Sequence, residues 1–328
     1  MKAKKTAALL LGAAILATGL TACGEGNPLK SSTTDKKVVM TVGGDNVKYE
    51  EYRYFYLNNK RDLYGEGAEL TADEESNIKE LTKTNITDRH TLSLLAKDYG
   101  VRLTSEDKQR AQAYVDTFRT TCGDTEAYKN QLKNQYLNEP FFVELTSDTT
   151  IAYALLDEMA KQGGIAVSEE DYEEAIKTDE VLCVKEIYIT YPSEELKDWA
   201  KSRAEEVMAK LKAGGNFEEL MTEYSNYNGE DLPPEHGYYT MEYDALEEVW
   251  NTAKDLKEGE YSDIVETAFG YHIIKREAKD RDYIETIHDE LYEIFLESRF
   301  YKKFYEYRDG IEVAYTSFGE GLSDSTVV

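Results

Sequence analysis

One punctuation pattern, used twice, limits most strongly what this 328-residue chain can become. Gly100-Val101-Arg102-Leu103-Thr104-Ser105-Glu106-Asp107 follows one helix-like segment, and Gly164-Ile165-Ala166-Val167-Ser168-Glu169-Glu170-Asp171 follows another. Each reads as a glycine that stops a helix, two apolar residues that staple the turn, and a Thr or Ser N-cap. The acid three residues after the cap supports the next helix. A chain punctuated in this way is committed to helix pairs, so residues 38–178 are expected to form a mainly helical domain. Ahead of those pairs, VVMTV at 38–42 is a short β-prone run ended by Gly43-Gly44, and residues 49–61 are helical and rich in tyrosine.

The character changes near Val181. Residues 181–189 (VLCVKEIYI) read as a strand. Residues 193–213 read as an amphipathic helix, with Leu196, Trp199, Ala200, Ala204, Val207, Met208 and Leu211 on one face. Gly214-Gly215 stops it, and Asn216 caps a short helix with Glu219 at the capping-box position. A polar loop over 224–237 contains Pro233-Pro234. A helix over 246–256 follows, then a turn at Glu258-Gly259-Glu260 and two β-prone runs around Phe269-Gly270. Strand, helices, strands in that order mean a small α+β unit. Residues 282–307 form a long helix, and 311–315 a last strand that could pair with 38–42. The final residues look disordered. The fold class is therefore α+β: a mainly helical domain over 38–178, a small α+β domain over 179–279, and a long helix and last strand within 280–328; that the small domain is inserted and 280–328 completes the helical domain is what the resemblance described below implies.

The first residues carry a different message. Lys2, Lys4 and Lys5 precede an apolar run over 7–20 that closes on Leu20-Thr21-Ala22-Cys23. A basic start, an apolar middle and a small-residue end describe a secretory signal, and the run is short for a membrane span of roughly 20 residues. The ending resembles the lipobox of bacterial lipoproteins. That resemblance implies cleavage after residue 22 and acylation of Cys23, with two acyl chains giving stable anchoring where one gives little. Residues 24–37 (GEGNPLKSSTTDKK) read as a polar tether. Removing residues 1–22 leaves 306 of the 328 residues, enough for two modest domains. The formal net charge is −27, and losing the three lysines of the signal takes it to about −30. Such a chain repels nucleic acid and bare anionic membrane, and neither is expected as a partner. The acid is spread along the sequence, as on solvated helix faces. Beyond Cys23, Cys122 and Cys183 are far apart, and a disulfide between them is left open. His90, His236, His272 and His288 are too scattered for a metal site, and no phosphate-binding glycine loop or Ser-His-Asp arrangement is present. No cofactor is expected.

Residues 183–277 resemble the parvulin family of peptidyl-prolyl isomerases. The matching stretches are Glu186-Ile187-Tyr188-Ile189, residues 210–220 (KLKAGGNFEEL), Tyr224-Ser225, Gly237-Tyr238-Tyr239, residues 256–262 (LKEGEYS) and residues 269–275 (FGYHIIK). The helical flanks look like those of the PrsA and SurA type of extracytoplasmic folding factor, in which a parvulin unit is inserted into a helical chaperone domain. The resemblance implies a membrane-tethered protein on the extracytoplasmic face, with unfolded, newly exported polypeptides as partners, and it admits a homodimer. It also implies a site. Parvulins supply two neighbouring histidines, a cysteine or aspartate, and a Met/Leu–Phe–Phe pocket. Here His272 matches the second histidine, Thr267 the threonine before it, and Glu186 falls on the first histidine position. Tyr227 falls on the cysteine or aspartate position. The pocket positions fall on Ala245 and Val249, or on Leu246 and Trp250 after a one-residue shift. Tyr239 falls on a further aromatic position, and Phe269 lies in the most specific stretch.

The chemistry at issue is rotation about X–Pro bonds, which takes tens to hundreds of seconds unaided. It needs a pocket that grips the proline ring and polar groups that favour the twisted amide. An Ala/Val pair buries less proline surface than Met/Phe, and at about 25 cal/mol per Å2 the loss is a few kcal/mol of binding. A Glu186–His272 hydrogen bond across adjacent strands is expected in place of the paired histidines, the carboxylate favouring imidazolium. The bland alternative for His272 is a satisfied core histidine, and for most of the 26 tyrosines it is packing. Three readings follow. The first is a lipid-anchored folding factor whose helical domain binds clients and whose parvulin unit is weakly active or inactive. The second is a working isomerase with a diverged site. The third is a lipoprotein that reuses the fold as a scaffold for another partner or ligand.

Overall fold

The computed structural model describes residues 33–191, 196–226 and 235–327. The signal segment, Cys23, most of the tether, Ser193, Tyr227 and Pro233-Pro234 lie outside the described residues. The chain divides into two compact units: residues up to Gly164 together with Lys302 onward, and Ile165–Tyr301.

In the first unit a three-stranded antiparallel sheet has the order β2-β1-β7, from β1 (Val38–Val42), β2 (Asp45–Lys48) and β7 (Val313–Tyr315). Met40 pairs with Tyr315 and Val42 with Val313, which joins the two ends of the chain as the β-prone runs suggested. The helices are α1 (Tyr49–Tyr64), α2 (Ala72–Asp98), α3 (Ser105–Thr121), α4 (Thr125–Asn134) and α5 (Glu139–Lys161). The core joins Val39, Met40 and Val42 to Tyr52, Tyr56 and Phe141, so many tyrosines of α1 are packing residues. A smaller cluster, with Val115, Tyr128, Leu132 and Phe142, binds α3, α4 and α5 together.

Both expected capping boxes are formed, Thr104 with Asp107 and Ser168 with Asp171, and a third at Thr71 and Glu74 starts α2. The helix stops differ by one residue between the two copies. Gly100 (φ 76°) ends α2, its N–H reaching the Lys97 carbonyl and that of Val101 the Ala96 carbonyl. At the end of α5 the same pair of bonds starts from Gly163 (φ 76°) and Gly164, so Gly163 takes the left-handed turn. Gly164 is needed for another reason: a Cβ there would stand 2.6 Å from the Tyr99 hydroxyl.

The C-terminal residues, expected to be disordered, are instead part of this unit. Leu322 and Val327 are buried in the core, Lys60 Nζ meets Asp324 at 2.7 Å, and the Tyr49 hydroxyl donates to the Thr326 carbonyl. Two apolar side chains and an ion pair offset the chain entropy that a polar tail would otherwise keep.

The second unit holds a four-stranded antiparallel sheet of order β4-β3-β6-β5, from β3 (Val181–Thr190), β4 (Tyr238–Met241), β5 (Val265–Thr267) and β6 (Gly270–Glu277). One face is covered by α7 (Lys197–Lys212) and α8 (Phe217–Tyr224), through Ile187, Ile189, Tyr271 and Ile273. Farther along the same face, Val181, Cys183, Tyr239 and Met241 pack against α6 (Glu169–Lys177), α10 (Arg281–Thr286) and α11 (His288–Asp309). That packing is why the contact boundaries fall at Ile165 and Tyr301, outside the 179 and 279 read from the change in pattern. The opposite face carries α9 (Glu247–Asp255), which buries Val249, Trp250 and Ala253 on Leu182, Val184 and Ile274. Leu196 and Trp199, expected on the apolar face of α7, are 41% and 49% exposed at its start, where Arg203 lies over the Trp199 ring. Fold class is as expected, α+β with a helical unit and a small sheet-based unit.

Candidate functional site

The geometry of the site follows from strand register. β3 and β6 pair antiparallel, with Glu186 opposite Ile274 and Tyr188 opposite His272. Side chains alternate along each strand, so Glu186 and His272 share a face as diagonal neighbours. Their side chains meet, His272 Nδ1 lying 3.2 Å from Glu186 Oε2. A carboxylate only accepts, so Nδ1 carries the proton and donates. His272 Nε2 lies 3.0 Å from the Thr267 hydroxyl. That hydroxyl also accepts from the Phe269 N–H and stands 3.3 Å from the Gly270 carbonyl. Both ring nitrogens of His272 are therefore engaged within the fold, and the residue is only 4% exposed. The Tyr188 ring stacks on the imidazole, centroids 4.6 Å apart and planes 17° off parallel, and its hydroxyl donates to the Phe269 carbonyl.

The β5–β6 hairpin that brings Thr267 to His272 depends on Gly270. A Cβ at that position would stand 2.5 Å from the Ile189 carbonyl on β3, closer than any side chain tolerates. The turn leaves Phe269 at its tip, 59% exposed.

β4 adds the other edge of the site. Val184 pairs with Tyr238 and Leu182 with Thr240, which places Tyr238 and Thr240 on the face of Glu186. Burial, with the Glu186 carboxylate nearby, raises the pKa of the Tyr238 hydroxyl far above the ordinary tyrosine value. Thr240 donates to Asp244 Oδ2 at 2.9 Å, and burial raises the Asp244 carboxyl above its usual range. The connection carrying Asp244 turns through Tyr243 at φ 70°.

The sequence-derived residues separate on this framework. Glu186, Thr267 and His272 come together. Phe269 sits beside them at an exposed tip. Ala245 and Val249 lie on the sheet-facing side of the α9 region, but Val249 is buried in the core with Trp250. Leu246, the shifted alternative, is 36% exposed. Tyr239 does not join the site: it pairs with Cys183 and points to the opposite face, where its hydroxyl accepts from the Asp280 N–H. The aromatic on the site face is its neighbour Tyr238. Tyr238, Tyr188 and Asp244 were not singled out from sequence. Alternation from Glu186 identifies Tyr188, whereas Tyr238 and Asp244 need the β3–β4 register. Tyr227 and Cys23 lie outside the described residues.

Cys122 and Cys183 are free, and burial pushes the Cys183 thiol up to about 11, where it is a poor nucleophile. Among the described residues no group of three His, Cys, Asp or Glu side chains could hold a metal ion. What the face offers is a carboxylate–imidazole–hydroxyl chain from Glu186 through His272 to Thr267, with the Tyr188 ring stacked on it and an exposed aromatic, Phe269, at its rim.

The first unit carries a separate feature, a groove of about 300 Å3. Tyr52, Tyr315 and Leu322 form its apolar lining, and Ser76, Lys79 and Lys83 edge it from one face of α2.

Comparison with known proteins gives two domain matches: residues 181–278 match the PPIC-type PPIASE domain, and residues 1–148 the SurA-like N-terminal domain. The foldase protein PrsA of Bacillus subtilis (strain 168) is 43% identical over 76 residues, 23% of this chain and 26% of that protein. The foldase protein PrsA of Caldanaerobacter subterraneus is 25% identical over 292 residues, 84% of this chain and 83% of that one. Among solved structures, the foldase protein PrsA of Streptococcus pneumoniae aligns with 80% of this chain and 87% of its own, at 15% identity and a TM-score of 0.36.

Proposed function

We propose, for a chain that belongs to the PrsA/SurA-like proteins by its SurA-like N-terminal and PPIC-type domains, the role of an extracytoplasmic folding factor. It is held at the membrane by lipid on Cys23 and receives newly exported polypeptides before they fold. The helical unit binds these clients, and the parvulin-type unit contributes little or no prolyl isomerisation.

The observation that carries this reading is the contrast between the two units. The groove beside α2 has an aromatic wall at Tyr315 and polar edges of both charges, Lys79, Glu80, Lys83 and Glu320, a mix that suits many extended sequences. The sheet-face site supports the other half. His272 has both nitrogens committed to Glu186 and Thr267. Of the two pairs that could stand at the family's Met and Phe positions, Ala245 with Val249 or Leu246 with Trp250, the second member of each, Val249 and Trp250, is bound into the core. The large apolar side chains exposed near the site are Phe269, at the hairpin tip, and Leu246. A lipid anchor fits the Leu20-Thr21-Ala22-Cys23 segment, and among the described residues no helix is long and apolar enough to cross a membrane.

A second reading, a working isomerase with a diverged site, is favoured by one observation: the polar chain through His272 is intact and ordered by Tyr188. A paired assay separates the two. Turnover of a proline peptide that disappears in His272→Ala supports the isomerase. Aggregation suppression without measurable turnover supports the folding factor.

A further inference from the structure

We propose that the outer edge of β7 is a strand-addition site, on which an extended stretch of an unfolded client pairs backbone to backbone with Val313 and Tyr315. The inference deepens the reading of the helical unit as the part that binds clients and rests on it.

Register supplies the geometry. β7 pairs antiparallel with β1, Thr41 standing opposite Ala314. The Gly43 N–H donates to the Glu312 carbonyl and the Thr316 N–H to the Val39 carbonyl, both at 2.9 Å. Residues of an antiparallel strand alternate between those that exchange bonds with the partner strand and those whose N–H and C=O point away from it. Glu312, Ala314 and Thr316 therefore turn toward β1, and Val313 and Tyr315 turn away. The same alternation along β1 points Met40 and Val42 at β2, where they pair with Val47 and Asp45. β7 is the edge of the order β2-β1-β7, so nothing answers Val313 and Tyr315 in that way. Among the described residues their outward N–H and C=O groups meet no backbone partner.

The edge is a firm template. Val313 and Tyr315 pack on the core of this unit, and the Thr316 hydroxyl donates to the Val38 carbonyl at 2.8 Å. The chain after the strand lies so close to β1 that a Cβ at Gly319 would collide with the Val39 carbonyl. Tyr315 also lines the groove beside α2, so strand edge and groove meet at one residue. Unmet N–H and C=O groups on alternate residues call for another backbone, and an extended unfolded chain supplies one whatever its sequence. Lys79, Lys83, Glu80 and Glu320 around the groove admit client segments of either charge. At three residues, β7 is an edge too short to favour pairing with a second folded sheet.

The test uses the full chain and a short proline-free peptide of alternating valine and threonine, and reads amide hydrogen exchange by 15N–1H correlation. Saturating peptide is expected to slow the Val313 and Tyr315 amides about fivefold or more, the effect of gaining one backbone hydrogen bond. The Ala314 amide, already bonded to β1, should not change. Val313→Pro removes an outward donor and leaves the ladder to β1 whole, and it should weaken peptide binding about fivefold. Val313→Ala, which keeps the N–H, should bind as the wild type does. Exchange is read in the wild-type chain, so the outcome stands even where Val313→Pro fails to fold. Peptide bound with both amides unprotected overturns the proposal, and so does a peptide that does not bind. Protection that appears without peptide and grows with protein concentration also overturns it, by assigning the edge to a second copy. In each of these cases the client-binding reading survives if the wild-type chain still suppresses aggregation. That reading fails by itself when suppression is absent although the two amides are protected.

Discussion

Replacing Arg89 with methionine should destabilise the helical unit by about 3–5 kcal/mol near pH 7.5, the usual cost of leaving buried charges without their partner. Arg89 lies on α2 between two other helices. Its Nη1 donates to Glu51 on α1 at 2.7 Å, and its Nε to Asp148 on α5 at 2.7 Å, with all three side chains nearly buried. His90 adds a contact to Glu51 at 3.3 Å. Two buried carboxylates thus share one guanidinium, which also stands 3.7 Å from the exposed Glu144, and the responses of the buried pair diverge. Arg89 and His90 hold Glu51 below its usual range against the opposing effect of burial. Burial pushes Asp148 up to about 6 despite Arg89.

The signs give a pH signature. Asp148 binds its proton more tightly folded than unfolded, so the stability that proton gives is fully present below pH 3.8 and lost as pH rises through about 6, about 3 kcal/mol in all. Lowering the pH from 8 toward 5.5 should therefore stabilise the wild-type unit. Glu51 contributes stability above its unfolded value of 4.5 that is lost as pH falls through its lower folded value. In Arg89→Met the loss should be largest at pH 8 and smaller at pH 5.5, where Asp148 protonates. Adding Asp148→Asn and Glu51→Gln should recover most of it.

Urea unfolding separates the units, because both tryptophans, Trp199 and Trp250, lie in the sheet-based unit. Circular dichroism at the helix band follows the helices of both units and tryptophan fluorescence the sheet-based unit alone, so a helix-band shift without a fluorescence shift belongs to the helical unit. A loss below about 1 kcal/mol with no pH dependence would refute the reasoning, since a buried unpaired carboxylate cannot be that cheap.

Three further outcomes are expected. Gly270→Ala should cost about 2–4 kcal/mol in the sheet-based unit, because its methyl meets the Ile189 carbonyl at 2.5 Å; an unchanged fluorescence midpoint in urea contradicts this. Leu322→Ala should cost the helical unit about 2–4 kcal/mol, since that side chain fills core and is not part of a loose tail; a helix-band midpoint equal to wild type would return the tail to disorder. Cys23→Ala should abolish incorporation of labelled palmitate during bacterial expression and move the protein out of the membrane fraction. Retained label would place the anchor elsewhere.

What the sequence revealed was mostly local. The Thr104–Asp107 and Ser168–Asp171 boxes are written within four residues, and both are formed. The β1–β7 pairing was also legible, because two short β-prone runs at the ends had few other partners. Features that depend on register or distant packing were not. Tyr239 was placed in the site and faces away from it, because a one-residue change of register exchanges the faces of a strand. Tyr238 escaped notice for the same reason. The second unit takes in α6 and much of α11 because Tyr172, Ile176, Leu291 and Phe295 cover the sheet, a contact no local pattern announces. The tail looked polar, and only the three-dimensional position of Leu322 and Val327 shows that it closes a core. The Glu186–His272 contact was readable because both residues fall on strands whose pairing the parvulin resemblance supplies.

The central claim is that the helical unit, not prolyl isomerisation, performs the folding role. The most direct measurement is suppression of aggregation of an unfolded client that contains no proline. Three full-length proteins are compared: wild type, His272→Ala, and Ser76→Trp, which fills the groove beside α2 from its exposed edge. The expected result is suppression by wild type at near-equal concentration, kept in His272→Ala and lost in Ser76→Trp. Failure of the wild-type chain to protect a proline-free client, or protection lost in His272→Ala and kept in Ser76→Trp, would contradict it.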